Sequence, residues 1–194
     1  MNILFHLYLS GNDEELLVGN FMGDFVKGPL DVSYPPRIYQ GLLLHRKLDA
    51  FAQNDATFQT SRRRLPAEYG LYRGVLIDLF YDHFLAREWN AWSVTPFADY
   101  LSWARRIVDQ HLAIMPSHLQ EIVPLIFDDF LPSYQSIAGT ERALRRMSRR
   151  LRRENPLAAG GAELSHYYAE LRGDFADFTP KAQRFVADFL KLSF

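Results

Sequence analysis

Three pairs of polar residues are spaced four positions apart, a spacing that places both members of a pair on one face of a helix. The pairs are Asn20 with Asp24, His45 with Asp49, and Asp78 with Asp82. Each of these faces also carries apolar residues; the His45 face, for example, includes Ile38 and Leu42. We therefore expect the polar side chains to point toward the core.

Burying an isolated carboxylate costs several kcal/mol, so a fold that buries four of them must compensate for the charge. The imidazoles nearest in sequence belong to His6, His45 and His83, and the chain has no Cys. Carboxylates and imidazoles without thiolates suit Mn²⁺, Mg²⁺ or Fe²⁺ better than structural Zn²⁺. The pattern favours a metal site; the alternative is that each Asp caps a helix or forms its own ion pair.

The elements that must position these residues are predicted to be helices, since alternating β-branched runs are few and turn signals lie far apart. The expected helical segments are 14–27, 36–53, 68–90, 97–115, 118–130, 134–153, 162–173 and 180–192. Residues 2–10 are expected to form an extended or helical lead-in. Gly41, on the His45 face, would let a neighbouring backbone approach closely. The prediction is an all-α, single-domain bundle of about eight helices spanning 1–194, with 68–90 as the buried central helix.

Composition narrows the class of protein further. The chain has 194 residues, 48% of them apolar and 14% aromatic, which is enough for a sizeable core and excludes a disordered or collagen-like chain. Without Cys, neither a disulfide scaffold nor thiol catalysis is available. The apolar runs are short and interrupted by charge, and the N-terminal segment lacks the features of a signal peptide. We expect a cytoplasmic protein with no membrane partner.

Charge is concentrated in one segment, which we call the arginine face. Its members are Arg142, Arg145, Arg146, Arg149, Arg150, Arg152 and Arg153. Of 22 basic residues, 22 − 7 = 15 lie elsewhere, against 23 acidic ones, so the rest of the chain is acidic. The arginine face is either a solvated helix surface or a docking surface for an acidic macromolecule. The acidic remainder and the lack of interleaved aromatic residues argue against nucleic acid and favour an acidic protein.

Four segments resemble the bacterial acyl carrier protein phosphodiesterases, also called holo-ACP hydrolases. They are MNILFHLYLS, GNFMGDFVKG, YPPRIYQGLLLHRKLDAF and DLFYDHFLAREW, all within about residues 1–90. That family is regarded as a divergent branch of the all-helical, metal-dependent HD phosphohydrolases. The resemblance implies hydrolysis of the phosphodiester that joins 4′-phosphopantetheine to a serine of acyl carrier protein (ACP), with Mn²⁺ as the activator. ACP is small and strongly acidic, which would give the arginine face a partner.

The HD pattern contains a His-Asp doublet. This chain departs from it, because His45 is followed by Arg46 and the adjacent residues Asp82 and His83 have the reverse order. Within the resemblance, the expected metal ligands or their supporting residues are Asp24, His45, Asp49, Asp78, Asp82 and His6. Other expected roles are Asn20 to orient a ligand or the substrate, Arg46 and Lys27 to hold the diester anion, and His83 as general acid. The arginines expected to guide ACP are Arg142, Arg146, Arg149 and Arg153.

Two other functions fit the residues. One is a metal-dependent phosphohydrolase of nucleotides or other small phosphodiesters. The other is a non-catalytic helical adaptor that binds an acidic protein or RNA through the arginine face; such an adaptor would have no need for core-facing carboxylates.

Overall fold

The computed structural model describes residues 2–31, 33–151 and 153–192, and within these ranges the chain is helical and contains no strand. Its α-helices are α1 Ile3–Leu9, α2 Glu14–Met22, α3 Pro36–Asn54, α4 Ala56–Arg64, α5 Tyr72–Arg87, α6 Trp89–Trp92, α7 Phe97–Gln110, α8 Ser117–Leu125, α9 Leu131–Ser133, α10 Ile137–Arg150, α11 Gly161–His166 and α12 Tyr168–Leu192. The all-α prediction is confirmed, although the helices of the described residues are more numerous than the eight expected.

Helices α2 and α3 pack with their backbones in contact. A Cβ atom added to Gly19 would lie 2.1 Å from the carbonyl oxygen of Ile38, and one added to Gly41 would lie 2.4 Å from that of Leu16. Only glycine fits at such a crossing, as predicted for Gly41. The close crossing places Nδ1 of His45 on α3 at 2.8 Å from the backbone oxygen of Asn20 on α2.

Helix α5 is the buried centre of the fold, as its almost continuously apolar sequence predicts. Its side chains from Leu76 to Ala86, apart from Asp78, are buried. One of them, Asp82, stabilises α1: its carboxylate accepts hydrogen bonds from the backbone N–H groups of Leu4 and Phe5, each at 2.9 Å. These are free N–H groups of the first helical turn, so a residue distant in sequence caps α1 and explains why residues 2–10 are helical.

Several boundaries differ from the sequence prediction, and two differences have a clear physical reason. The region between 53 and 68 contains α4, which Asp55 caps by accepting hydrogen bonds from Thr57 N and Phe58 N. The expected start of a helix at Pro180 is wrong, because α12 continues through that proline. Thr179 does not cap a new helix; its hydroxyl donates to Phe175 O at 2.8 Å. The apolar face of α12 stays buried on both sides of the proline, and this packing outweighs the lost backbone hydrogen bond.

No helix in the described part of the chain combines the length and the apolar character that crossing a membrane requires.

Candidate metal centre

Two histidines from different helices stack against each other beside an aspartate. His6 on α1 and His45 on α3 have ring centroids 3.8 Å apart and an interplanar angle of 15°. Both rings are buried. Asp49, one turn after His45, and Asp24, in the short 3₁₀ turn Gly23–Phe25 that follows α2, complete the cluster.

Asn20 sets the orientation of both imidazoles. Its side-chain Oδ1 lies 2.8 Å from Nδ1 of His6, and its backbone oxygen lies 2.8 Å from Nδ1 of His45. The amide is held in this orientation because its Nδ2 donates to His6 O at 2.8 Å and to Ser10 Oγ at 2.9 Å. Carbonyl oxygens only accept, so Nδ1 carries the proton in both histidines. In the neutral rings, each Nε2 is then left with a lone pair.

The two Nε2 atoms point at carboxylate oxygens. His6 Nε2 lies 3.3 Å from Asp49 Oδ1, and His45 Nε2 lies 3.4 Å from Asp49 Oδ2 and 3.5 Å from Asp24 Oδ1. His6 Nε2 is buried, and no other described residue lies within hydrogen-bond geometry of it. Lone pairs of nitrogen and oxygen that face each other at these distances need a proton or a cation between them.

The cluster fits a divalent ion. One donor atom each from His6, His45 and Asp49 lies within 4.8 Å of the other two. Two imidazoles and a carboxylate, with Nδ1 of each imidazole hydrogen-bonded, form a ligand set typical of catalytic metal sites in proteins. The arrangement is therefore a possible metal centre, and Asn20 supports both of its histidines.

Charge within the cluster is arranged to keep Asp49 ionised. Burial alone would raise the pKa of Asp49, but its contacts with the imidazoles of His45 and His6 outweigh burial and hold that pKa well below its ordinary value. Burial lowers the pKa of His6 to about 4, with help from the neighbouring His45. Burial also opposes the charged form of His45, yet its contacts with Asp24 and Asp49 raise its pKa to about 9. In the metal-free protein at neutral pH, His45 is the group that holds the proton.

A cavity of about 240 Å³ opens beside the cluster, and we call it the central cavity. Its walls include the three carboxyl groups of Asp24, Asp49 and Asp78. Asp24 is about half exposed, with 47% of its side chain accessible. Burial raises the pKa of Asp78. The fold thus brings together five of the six residues predicted as metal ligands: His6, Asp24, His45, Asp49 and Asp78.

The sixth, Asp82, has a different role. Both of its oxygens accept backbone hydrogen bonds of α1, and its side chain is fully buried. Its prediction as a metal ligand is corrected to a structural role, because both of its oxygens are used to cap a helix. The sequence pattern could not separate these roles, since a cap and a ligand both require a buried carboxylate.

His83 also lies outside the cluster. Its Nδ1 is 2.7 Å from Tyr134 O and its Nε2 is 3.2 Å from the hydroxyl of Tyr168. With both ring nitrogens hydrogen-bonded to residues outside the central cavity, the prediction of His83 as general acid is not supported. One residue along a helix is a rotation of about 100°, which separates His83 from the face that carries Asp78 and Asp82.

Arg46 and Lys27 lie near the loop that follows Asp24 rather than in the central cavity. Arg46 Nη2 donates to Val26 O at 3.2 Å and to Gly28 O at 2.7 Å, and so fixes this loop. Lys27 is exposed on the same loop. Gln53, in contrast, lines the central cavity although the sequence analysis passed over it. Gln53 continues the spacing of four that runs from His45 through Asp49, and this spacing could have predicted its place at the site.

The arginine face lies on α10 and the residues just after it. Gly139, Thr140, Ala143 and Leu144 are buried on the other side of this helix, while Arg142, Arg145, Arg146, Arg149, Arg150 and Arg153 are exposed. Arg152 is outside the described residues. Arg146 pairs with Asp129 and lies 5.5 Å from the ring centroid of Phe130, and Arg150 lies 5.7 Å from that ring.

An apolar cleft of about 180 Å³ connects this face to the centre. It includes Phe130, Arg146 and Arg150, and it meets the central cavity at Asp24 and Met147. The arginine face and the metal centre are therefore two parts of one continuous surface.

The fold and the site define an all-helical protein with a candidate histidine–aspartate metal centre. Comparison with known proteins is consistent with this class: the model of the family described as acyl carrier protein phosphodiesterase matches residues 1–182. The chain belongs to the acyl carrier protein phosphodiesterase family.

Curated relatives cover nearly the whole chain. The acyl carrier protein phosphodiesterase of Yersinia pestis is 28% identical over 188 residues, which is 95% of this chain and 96% of the relative. The acyl carrier protein phosphodiesterase of Klebsiella pneumoniae (strain 342) is 28% identical over 95% of this chain and 96% of the relative. That of Serratia proteamaculans (strain 568) is 27% identical over 97% of this chain and 98% of the relative. No solved structure matches the chain, so its likeness to HD phosphohydrolases stays a prediction.

Proposed function

We propose that this protein is a single-domain, metal-dependent hydrolase that cleaves the phosphodiester between 4′-phosphopantetheine and the serine of ACP, converting holo-ACP to apo-ACP. The observation that carries the proposal is the cluster of His6, His45 and Asp49, whose donor atoms converge at the wall of an open cavity. Family membership supplies the substrate, and the cytoplasm, where ACP would be available, is the proposed location.

His6, His45 and Asp49 would hold the ion, with Asp24 at its open side. We propose Mn²⁺, with Mg²⁺ or Fe²⁺ as alternatives that the same ligands accept. When bound, such an ion supplies a hydroxide near neutral pH and neutralises phosphoryl charge. Asn20 keeps both Nε2 atoms aimed at the ion, because its hydrogen bonds leave Nδ1 as the protonated nitrogen of each ring.

Two carboxyl groups of the central cavity suit the proton transfers. Burial would raise the pKa of Asp24, but the contacts with His45 outweigh it and lower that pKa, so Asp24 is ionised and can accept a proton from the attacking water. Burial raises the pKa of Asp78 and so favours its protonated form, from which the carboxyl can give a proton to the serine oxygen that leaves. Asp78 thus replaces His83 as the proposed general acid.

The arginine face is proposed to dock ACP through Arg142, Arg146, Arg149 and Arg153. Exposed guanidinium groups attract an acidic protein mainly by speeding its encounter and fixing its orientation. The apolar cleft that leads from Arg146 and Arg150 to Asp24 gives a docked protein a path to the metal centre. The arginine face also favours ACP over a free nucleotide as the substrate. A nucleotide is too small to need contacts so far from the metal centre.

The test is release of 4′-phosphopantetheine from holo-ACP in the presence of Mn²⁺, followed by the mass of the ACP product. Asp49→Asn and His45→Gln should each lower kcat/KM at least about a hundredfold, the scale on which loss of a metal ligand or key electrostatic group is felt. His111→Gln is the matched control, since His111 lies outside the cluster and its Nδ1 hydrogen-bonds within its own turn, to Ile107 O. Unchanged turnover in both folded variants would refute the proposed centre.

A further inference from the structure

A second groove leaves the central cavity on the side away from the arginine face. It has a volume of about 330 Å³ and lies between α3, α4 and α5, and we call it the α4–α5 groove. Asp49, Gln53, Val75 and Asp78 line both spaces, so the groove opens directly from the candidate metal centre. The proposed roles of the metal centre, the central cavity and the arginine face leave this groove unassigned.

The walls of the groove combine apolar surface with hydrogen-bonding groups. Phe58 and Val75 supply apolar contacts, and Gln53 and Arg62 supply polar ones. Among the described residues, Arg62 makes no ion pair and no side-chain hydrogen bond, so its guanidinium is available to a ligand. Leu71 at the edge of the groove is 88% exposed, so its side chain is accessible to a ligand that lies in the groove.

Gly74 keeps the groove open. It lies in the first turn of α5, where a Cβ atom would meet only Arg62 Nε, at 3.9 Å. Packing therefore does not require glycine here, in contrast to Gly19 and Gly41. What distinguishes Gly74 from other helical glycines with free space is its place in the wall of the groove. A side chain at this position would extend into the groove.

The chemistry of a phosphodiester decides which of the two spaces suits which half of the substrate. The two ester groups leave a tetrahedral phosphorus in different directions, so two separate spaces beside the centre suit the protein half and the pantetheine half. The acidic protein half suits the arginine face, reached past Asp24 and Met147. The other half is a neutral chain with a gem-dimethyl group, a hydroxyl and two amides, and the groove beyond Asp49 and Asp78 has matching apolar and polar walls.

We propose that the α4–α5 groove is the subsite for the pantetheine arm, which rests on the proposed function. The gem-dimethyl group packs near Phe58 and Val75, and the amides exchange hydrogen bonds with Gln53 and Arg62. Leu71 covers the outer part of the arm. Gly74 gives the chain room to pass along α5.

The experiment compares two substrates: holo-ACP, and ACP whose serine carries an ethyl phosphodiester in place of the arm. Gly74→Leu should lower kcat/KM for holo-ACP at least about tenfold and change it less than twofold for the ethyl substrate. Gly173→Leu is the matched control, because Gly173 is also helical with nothing within 4 Å of an added Cβ, and should change neither. Arg62→Met, which removes the guanidinium but keeps an unbranched side chain, should raise KM for holo-ACP alone.

Three results would overturn the assignment. Equal turnover of holo-ACP by wild type, Gly74→Leu and Arg62→Met would show that the arm does not enter the groove. A selective loss in Ile122→Trp, which fills the cleft beside the arginine face, would place the arm there instead. Equal losses on both substrates would assign the effect to the metal centre. If the wild-type protein cleaves neither substrate, the proposed function itself fails; if it cleaves both and only the variants fail to discriminate, the subsite alone is wrong.

Discussion

Metal binding should be visible as a stabilisation that depends on Asp49. A cation that binds only the folded state, at a free concentration 100-fold above its dissociation constant, adds about 2.7 kcal/mol to the free energy of unfolding. For a chain of 194 residues, each kcal/mol raises Tm by about 2–4 °C, so Mn²⁺ should raise Tm by about 5–10 °C. Asp49→Asn keeps the shape of the side chain but removes the charge that faces both Nε2 atoms, and should reduce this shift to about 1 °C or less.

The same shift should depend on pH. The pKa of His45 is about 9 in the metal-free protein, so an ion that binds His45 Nε2 must first displace a proton. His6, with its pKa at about 4, is already neutral at pH 7 and needs no such displacement. The apparent affinity should therefore rise about tenfold per pH unit up to about pH 9 and then level off.

The assay is differential scanning fluorimetry of metal-free protein titrated with Mn²⁺ at several pH values. Asp109→Asn is the control, since Asp109 is an exposed partner of Arg105 on α7 and is not part of the cluster. It should leave the Mn²⁺ shift unchanged. A shift of full size in Asp49→Asn, or no shift in the wild-type protein at any pH, would refute the metal centre derived from the geometry.

Three other predictions concern the scaffold of the site. Asp82→Ala removes two buried hydrogen bonds that cap α1, and should lower the free energy of unfolding by about 2–3 kcal/mol in chemical denaturation. Gly41→Ala drives a Cβ atom to 2.4 Å from the backbone of α2 and should cost about 1–3 kcal/mol in the same assay. In metal-free protein, His6 binds fewer protons in the folded state than in the unfolded state between about pH 4 and pH 6.5. The contribution of His6 to the free energy of unfolding should therefore be lost as pH falls through that window. The difference in stability between wild type and His6→Gln should shrink over the same range.

Each of these has its own control. If Asp82 is structural, the Asp82→Ala protein should keep the Mn²⁺ shift wherever it remains folded; loss of the shift without loss of stability would return Asp82 to the metal site. Gly173→Ala should be neutral or stabilising, and an equal cost at Gly173 and Gly41 would contradict the crossing of α2 and α3. A pH dependence of His6→Gln that parallels wild type would show that His6 is not the group that titrates.

The sequence by itself determined the helical class, most of the helix positions and the chemical nature of the site. Spacing of four between polar residues placed His45 with Asp49 on one helix face, and that face is buried as expected. The glycine on the same face predicted close helix packing, and Gly41 provides it. These features depend on local periodicity, which a helix converts directly into a surface.

Only the tertiary structure decided the role of each carboxyl group. Asp78 and Asp82 carry the same local signal, yet Asp78 lines the central cavity and Asp82 caps α1. The role of each carboxyl depends on which of them meets the first turn of α1, a segment distant in sequence. The pairing of His6 with His45, and the support of both by Asn20, likewise depends on how α1, α2 and α3 cross. A side chain's neighbours along a helix are fixed by the chain, whereas its neighbours across the core are fixed by packing, and a metal centre is built from the second kind.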